Sequence, residues 1–366
     1  MNKLRKHPAP ISSLVVLNYS MDLENQVFSH QLEVVLQLSR YFDKVRVVTH
    51  SEGKVRDYPK NVKVFRSEWK PGSSLSNAIS FFKAFKAAKK DLQHFCVFSH
   101  MTEVQSFLIS LFTFLTQTPH FLWYAHISKS FYLRINYKLL DGIITSTQGS
   151  CPIQSEKVRV IGQGIDEKIF HSKEIHGWRN RKTLKVIHVG RLDPSKRVQR
   201  IIDNTLMSKW SDEFKQLILV GAPTANNDYY LSKLESENVS IIKSGKLTFI
   251  GTIYRRSLPK IFRDCDLFVH SFNGSLDKSL VEATMFGLPV VSENAEYQKL
   301  FGTWTEGLEQ LPVNLECEID SFMQIRKQDV THISKEVDRR REIALAEHSL
   351  ERWIIELVSI LKGERV

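Results

Sequence analysis

Short runs of apolar, β-favouring residues alternate along the chain with stretches whose apolar positions recur every three or four residues. "SLVVLNY" and "KVRVVTH" read as buried strands, and between them Phe28, Leu32, Val35 and Leu36 share one helix face. "NVKVF", "HFCVFSH", "HFLWYAH" and "GIITST" continue the strand series, with helical segments such as "SFLISLFTFL" and "SFYLRINYKLL" among them. Strands that alternate with helices predict βαβ units and a parallel, doubly wound sheet.

The alternation stops at residues 167–183, "EKIFHSKEIHGWRNRKT", a polar stretch without periodicity that reads as a linker. It restarts with "KVIHVG", "QLILVG", "LTFIG", "LFVHS" and "PVVSE", separated by helical patterns, which predicts a second βα domain. The last segment, "EVDRRREIALAEHSLERWIIELVSILKG", reads as two helices meeting near His348 and Ser349. A chain of 366 residues suits two domains of ordinary size. The expected division is an N-terminal domain over 1–170, a linker over 171–183, a C-terminal domain over 184–345, and a terminal helix over 346–366 packing back toward the first domain. Ligands of such sheets bind at the carboxyl ends of the strands.

Composition changes this picture little. With 42% hydrophobic and 25% charged residues the chain is globular, and its net charge of +11 favours anionic partners without choosing among them. The four cysteines, Cys96, Cys151, Cys265 and Cys317, are far apart and form no CxxC pair, which fits a reducing compartment. "LVVL" is too short for the core of a signal peptide, and "FLISLFTFLTQTPHFLWY" is broken by Gln117, Pro119 and His120. The expectation is a cytoplasmic chain.

Candidate chemistry lies in loops after strands. In "HVGRLDPSKR" the strand ends at Gly190, and Asp193-Pro194 turns the chain so that Arg191 and Lys196, in the first turn of a helix starting near Ser195, come together. A guanidinium fork and a point-charge ammonium suit a diphosphate; two solvated cations at a strand–helix corner is the competing reading. In "GSLDKSLVEATMFGLPVV", Gly274 and Ser275 precede a helix from about Lys278 to Phe286, where backbone N–H groups can meet an anion. Glu282, one turn in, can accept two ribose hydroxyls, or be an ordinary Glu on a wet helix face. Gly287 is the expected helix stop. His126, just past "LWYAH", can orient a sugar hydroxyl or serve structure only. Asp264 and Asp266 have D-x-D spacing but fall at the amino end of a strand, so no metal is assigned to them.

Taken in order, these motifs resemble glycosyltransferase family 4, retaining enzymes of the GT-B fold: two Rossmann-like domains facing a central cleft, with C-terminal helices. "VIGQGIDEKIF", "HVGRLDPSKR", "LILVGAP", "LTFIGTIYRRSLPKIFRDCDLFVHS" and "GSLDKSLVEATMFGLPVV" follow the family's order and spacing. The resemblance implies that Arg191 and Lys196, beside Gly190, hold the donor diphosphate and Glu282 the ribose. It implies that Gly251, Thr252 and Ile253 frame the base, that Ser275, Leu276, Asp277 and Lys278 face the donor sugar, and that His126 contacts the transferred sugar. It further implies transfer with retention and no metal or other cofactor, from a nucleotide-diphosphate sugar to a glycan or lipid-linked acceptor, in surface polysaccharide or glycolipid synthesis. The family's Glu-x7-Glu is broken: Gly274 stands eight residues before Glu282, and the chain is similar to a branch with "GSLDK" here. The family's glycine-rich N-terminal loop is replaced by "MDLENQVFSHQ", which makes Asn25, Gln26 and His30 candidates for lining the cleft. That absence also counts against dinucleotide binding.

"SFFKAFKAAKKDL" places Phe81, Phe82 and Phe85 along one helix side among Lys83, Lys86, Lys89 and Lys90. Peripheral contact with an acidic inner membrane face and a core-packed helix with a solvated lysine face both fit it. A sugar-nucleotide epimerase and a non-catalytic binder of the same fold are the alternative functions. A nucleic-acid protein is disfavoured, because aromatic residues and cations are not interleaved in one patch.

Overall fold

A computed structural model describes residues 10–25, 27–54, 57–70, 72–171, 181–224, 227–305 and 311–364. The chain divides into two compact units, residues 1–162 with 351–366, and residues 163–350. The first unit therefore ends earlier than residue 170, and the terminal segment returns to it at 351 rather than 346. Residues 172–180 of the expected linker lie outside the described residues.

In chain order the first unit's strands are β1 (Ser13–Leu17), β2 (Ser20–Met21), β3 (Lys44–Thr49), β4 (Ser51–Glu52), β5 (Val62–Arg66), β6 (Phe95–His100), β7 (His120–Trp123), β8 (Gly142–Thr145) and β9 (Val158–Val160). Seven of them form one sheet, ordered β5-β3-β1-β6-β7-β8-β9, and β2 pairs with β4 separately. Every pairing is parallel. β1 is buried at all five positions, as a central strand covered on both faces must be. Val15, Leu17, Phe81, Phe85 and Val97 share one side of the core. The terminal helix Leu350–Lys362 belongs to this unit from Glu351 on, and its Trp353 packs edge-on against Trp123 with ring centroids 5.1 Å apart.

The second unit holds β10 (Leu184–Val189), β11 (Phe214–Val220), β12 (Leu247–Gly251), β13 (Leu267–His270) and β14 (Val290–Ser292). Their order is β12-β11-β10-β13-β14, again all parallel. The order reverses between β10 and β13, and sheets of this kind bind ligands at the carboxyl ends of the strands beside such a reversal. The helix Val198–Leu206 buries Val198, Ile201, Ile202 and Leu206 on one stripe, each worth about 1.5–3 kcal/mol when removed from water.

Two local differences from the sequence reading have plain causes. Glu167–Phe170 is a short helix rather than linker, capped by the Asp166 carboxylate, which accepts from Lys168 N–H. Its Phe170 is fully buried beside Phe262, so one apolar side chain ties a polar segment to the core. The helix expected near Ser195 begins only at Val198. A 3-10 turn, Pro194–Lys196, comes first, and Arg197 at φ 51° breaks the path between them.

Among the described residues no helix is long and apolar enough to cross a membrane, and the four cysteines are free.

Candidate active site at the carboxyl edge of the second sheet

The loops after β10 and β13 meet through ion pairs. Lys196, only 5% exposed, donates its ammonium to Asp277 Oδ2. The same carboxylate oxygen is 2.9 Å from His270 Nε2, the last residue of β13. The ammonium also sits 3.7 Å from the centroid of the Phe272 ring, which accepts a cation on its face. A buried ammonium is costly without a counter-charge, and Asp277 supplies it. Asp277 occupies the N-cap position of the helix Lys278–Phe286 but makes no capping hydrogen bond, because its carboxylate is turned to Lys196 and His270.

The titration of this cluster follows its burial. Burial alone would raise the Asp277 carboxyl; the Lys196 ammonium and the His270 hydrogen bond overcome it and hold the group well below the usual carboxylate range. Burial pushes His270 down, against the upward pull of Asp277. His188, fully buried on β10 with Nδ1 3.0 Å from the Val269 carbonyl, is pushed down to about 3 by burial and by His270. The imidazoles therefore stay neutral at pH 7 beside a charged Lys–Asp pair.

Arg191 is half exposed, with NH1 3.2 Å from Asp193 Oδ2. Asp193 is in turn held by Thr224 N–H (2.9 Å), the Thr224 hydroxyl (3.1 Å) and the Asn227 amide (3.1 Å), all on Oδ1. Glu293, just past β14, is buried and binds Arg197 (3.3 Å), Arg200 (3.1 Å) and the Ser271 hydroxyl (2.9 Å). Asn294 donates its side-chain amide to the carbonyls of Phe272, Gly274 and Ser275 and so pins the loop. Each basic residue expected to hold an anion thus comes with a carboxylate that positions it.

Gly274 leaves room for the Phe272 ring. A Cβ there would lie 2.1 Å from Phe272 Cζ, so any side chain would have to push that ring away from Lys196. Gly221, after β11, is constrained too: its φ is 141° and a Cβ would lie 1.8 Å from the Gly190 carbonyl oxygen, so the ends of β10 and β11 touch backbone to backbone.

The other sequence candidates fall as follows. Glu282 is 4% exposed, not on a wet helix face, and its Oε1 lies 2.5 Å from Arg255 NH2. Arg255 also stands 5.6 Å over the Phe170 ring. Gly251 has φ 78°, Thr252 is exposed, and Ile253 packs partly into the core. Leu276 differs from expectation: its side chain is core, and its carbonyl accepts from the Gln163 amide. Ser275 is buried, and Lys278 is half-buried at the helix start. Gly287 stops that helix at φ 93°, with its N–H on the Ala283 and Thr284 carbonyls. Asp264 caps a helix end, while Asp266 accepts from Lys185 N–H and Arg181 at the amino end of β13. Among the described residues no group of His, Cys, Asp or Glu could hold a metal ion.

In the first unit His126 is exposed past β7, and its Nδ1 accepts from Ser128 N–H at 3.0 Å. Asn25 spends its side-chain oxygen on Val27 and Phe28 N–H, a turn-forming role. His30 is buried edge-on against His100, and Gln26 lies outside the described residues.

Sequence reasoning missed Phe272, His270, Glu293, Asn294 and Arg255. The signal for three of them was present: His270 ends the buried run "LFVH", and Glu293-Asn294 follows "PVVS", polar residues at the carboxyl ends of strands.

Residues 171–299 match the family model described as glycosyl transferases group 1. No curated protein matches the chain by sequence. Among solved structures, HepE of Anabaena in complex with UDP and glucose is 17% identical, with a TM-score of 0.72 over 95% of this chain and 98% of that one. The sucrose-phosphate synthase of Thermosynechococcus elongatus is 15% identical, with a TM-score of 0.75 over 96% and 98%. WaaG, a glycosyltransferase involved in lipopolysaccharide biosynthesis, is 15% identical, with a TM-score of 0.63 over 96% and 100%. At these identities the likeness is one of fold: the chain has the GT-B fold, built from two Rossmann-like units, and its second unit carries the group 1 glycosyltransferase signature.

Proposed function

We propose that the protein is a retaining, metal-independent glycosyltransferase that moves a hexosyl group from a nucleotide-diphosphate sugar to an acceptor hydroxyl in surface polysaccharide or glycolipid synthesis. The observation that carries this reading is the Lys196–Asp277–His270 cluster beside Arg191, at the point where the second sheet reverses its strand order. HepE was solved with UDP-glucose as well as with UDP, which supports a uridine diphosphate donor here.

The chemistry follows from charge. As the anomeric C–O bond breaks, negative charge grows on the departing diphosphate. Lys196 and Arg191, already fixed by Asp277 and Asp193, stabilise that charge without having to reorganise. Glu282 keeps Oε1 on Arg255 and offers Oε2 to the ribose. Asp277 and Lys278 face the donor sugar, Thr252 and Ile253 the base, and His126 the transferred sugar. A thermal-shift screen of UDP-, GDP- and ADP-sugars tests the donor: binding to the folded state raises the melting temperature by mass action. No shift with any of them sinks the reading.

Contact with an acidic membrane face belongs to the same proposal. On the helix Ser74–Lys89, Phe81 and Phe85 are buried, so the expected phenylalanine stripe splits. Phe82 is exposed with Leu75 and Ile79, and the exposed Lys83, Lys86 and Lys90 lie beside or just beyond them. An apolar strip edged with lysines suits a leaflet of acidic lipids. The protein should float with phosphatidylglycerol vesicles, and Phe82→Glu should reduce this; equal flotation with neutral vesicles would refute the charge argument.

A further inference from the structure

Between β13 and the helix Lys278–Phe286 the chain is held by its carbonyl oxygens. The Asn294 side-chain nitrogen donates to the carbonyls of Phe272 (2.8 Å), Gly274 (3.3 Å) and Ser275 (3.2 Å), and the Gln163 side-chain nitrogen donates to that of Leu276. Four of the five carbonyls from Phe272 to Leu276 are thus taken by two neutral amides. Both amide side chains are buried, with Asn294 at 0% and Gln163 at 3% exposure.

Neither amide is free to turn. Asn294 Oδ1 accepts from Tyr297 N–H at 2.9 Å and caps the helix Ala295–Phe301, so its nitrogen must face the loop. Gln163 N–H donates to His348 Nδ1 (3.1 Å). Its neighbourhood is tied to the same turn: Ile165 N–H donates to the His348 carbonyl (2.8 Å), and Leu350 N–H to the Ile165 carbonyl (2.7 Å).

In a planar trans peptide the N–H points away from the C=O. These peptides are trans, since the cis bond among the described residues is Leu311–Pro312. With the carbonyls turned to the buried amides, the N–H groups of Asn273, Ser275 and Asp277 are turned the other way, just ahead of the helix start at Lys278. Such N–H groups make an anion-binding concavity, and the helix dipole adds to it. The carboxylate of the loop, Asp277, is already paired with Lys196 and His270.

The first unit has the opposite arrangement. After β1, beside the contacting rings of Tyr19, His50 and Trp69, the Gln31 amide oxygen accepts from Tyr19 N–H (2.9 Å) and Ser20 N–H (3.1 Å), and its nitrogen goes to the His100 carbonyl (2.9 Å). That amide takes up N–H groups of its loop; Asn294 and Gln163 take up carbonyls instead. A carboxylate in their places could not donate to a carbonyl, and a second buried ammonium beside Lys196 would need a counter-charge of its own.

We propose that Asn294 and Gln163 are positioning residues for the donor: by holding four carbonyls they set the N–H groups of Asn273, Ser275 and Asp277 toward the β-phosphate of a nucleoside diphosphate. Naming that anion the donor's rests on the transferase reading; the hold of the two amides on the loop does not.

The test uses the full chain and two variants. Asn294→Ser keeps an oxygen that caps the helix but is too short to reach the loop. Gln163→Met keeps the bulk of the side chain and loses the amide, and Gln163→Asn, one methylene shorter, replaces it if it does not fold. Calorimetry measures UDP and UMP, which differ by the β-phosphate, and hydrogen exchange follows residues 272–279 without ligand. Each variant should bind UDP roughly tenfold more weakly, bind UMP as the wild type does, and exchange its loop amides faster. A merely structural role would weaken both nucleotides alike. The proposal is overturned if loop exchange is unchanged in both variants, if UDP affinity is unchanged in both, or if UMP affinity falls as far as that of UDP. Absence of UDP binding to the wild-type chain would count against the donor reading instead, and loop exchange then decides by itself whether the amides hold the loop.

Discussion

The two sheets share a construction, yet their carboxyl edges differ in charge and in the way they are held. In the second sheet, Arg191, Lys196, Arg197 and Arg200 are each tied to a carboxylate, and the loops after β10 and β13 are locked by those pairs. In the first sheet the edge is built from tilted, contacting rings and uncharged amides. One parallel scaffold therefore carries an ion-paired edge and an edge of rings and amides, and side chains at strand ends make the difference.

The contrast is sharpest at Lys196. Lys196→Ala should lower turnover roughly 10²–10³-fold, as loss of one fixed oxyanion donor does. It also strands Asp277, at a cost of about 3 kcal/mol. Pairing it with Asp277→Asn should restore melting temperature but not turnover, as followed by UDP release. Recovered turnover in the double variant would make the pair structural only. Arg191→Ala, at a half-exposed position, should lose turnover while its melting temperature stays near wild type.

Arg255→Ala comes next. It leaves the Glu282 carboxylate buried without its cation and should cost about 3–5 kcal/mol in chemical denaturation. Adding Glu282→Gln should return most of that stability while donor affinity stays weak. If donor affinity measured by calorimetry is normal in Glu282→Gln, the ribose role is wrong.

Gly274→Ala should cost roughly 1–3 kcal/mol through overpacking. On a Phe272→Ala background the same substitution should be nearly neutral, because the ring it strikes is gone. Additive losses would show that the Phe272 ring is not the constraint.

The smallest effect separates the units by pH. His120 in the first unit, buried against three hydroxyls, is pushed down to about 3 by burial, and His188 in the second likewise. A depressed histidine binds its proton in the unfolded chain first, so its unit loses stability as pH falls below about 6.5. Glu318, in the second unit, is pushed up to about 7 by burial, with Arg340 opposing. It takes its proton in the folded state first, so it adds stability as pH falls from about 7 to 4.5. Each slope is at most about 1.4 kcal/mol per pH unit. Hydrogen exchange at pH 7 and pH 5 should therefore show the first unit losing protection while the second, where Glu318 opposes His188 and His270, changes less. Equal loss in both units would remove Glu318 from the account.

Much of the fold was legible because strands buried on both faces are written as continuous apolar runs. "SLVVL", "KVIHVG", "LFVHS" and the others all became strands, and the helix break came at Ser349 as its neighbours suggested. The short β9 and the two-residue β2 and β4 were missed because two or three residues carry no period. Within the site, Arg191, Lys196 and Glu282 stood out as charges next to strand or helix ends. Asp193 reads in sequence as a turn residue and Asp277 as a donor-sugar contact, and Arg255 does not stand out, because the three become ion-pair partners only through loop geometry.

The chain's apolar periodicity alone determined two parallel sheets and the loops at their carboxyl ends, since burial of a strand or a helix stripe is a local property of residue order. Tertiary structure alone decided which charges meet: Lys196 finds Asp277 81 positions away, and Phe272 fills the space a side chain at Gly274 would take. The physical reason is that ion pairing and steric exclusion depend on distance in space, which sequence spacing specifies only after the chain has folded.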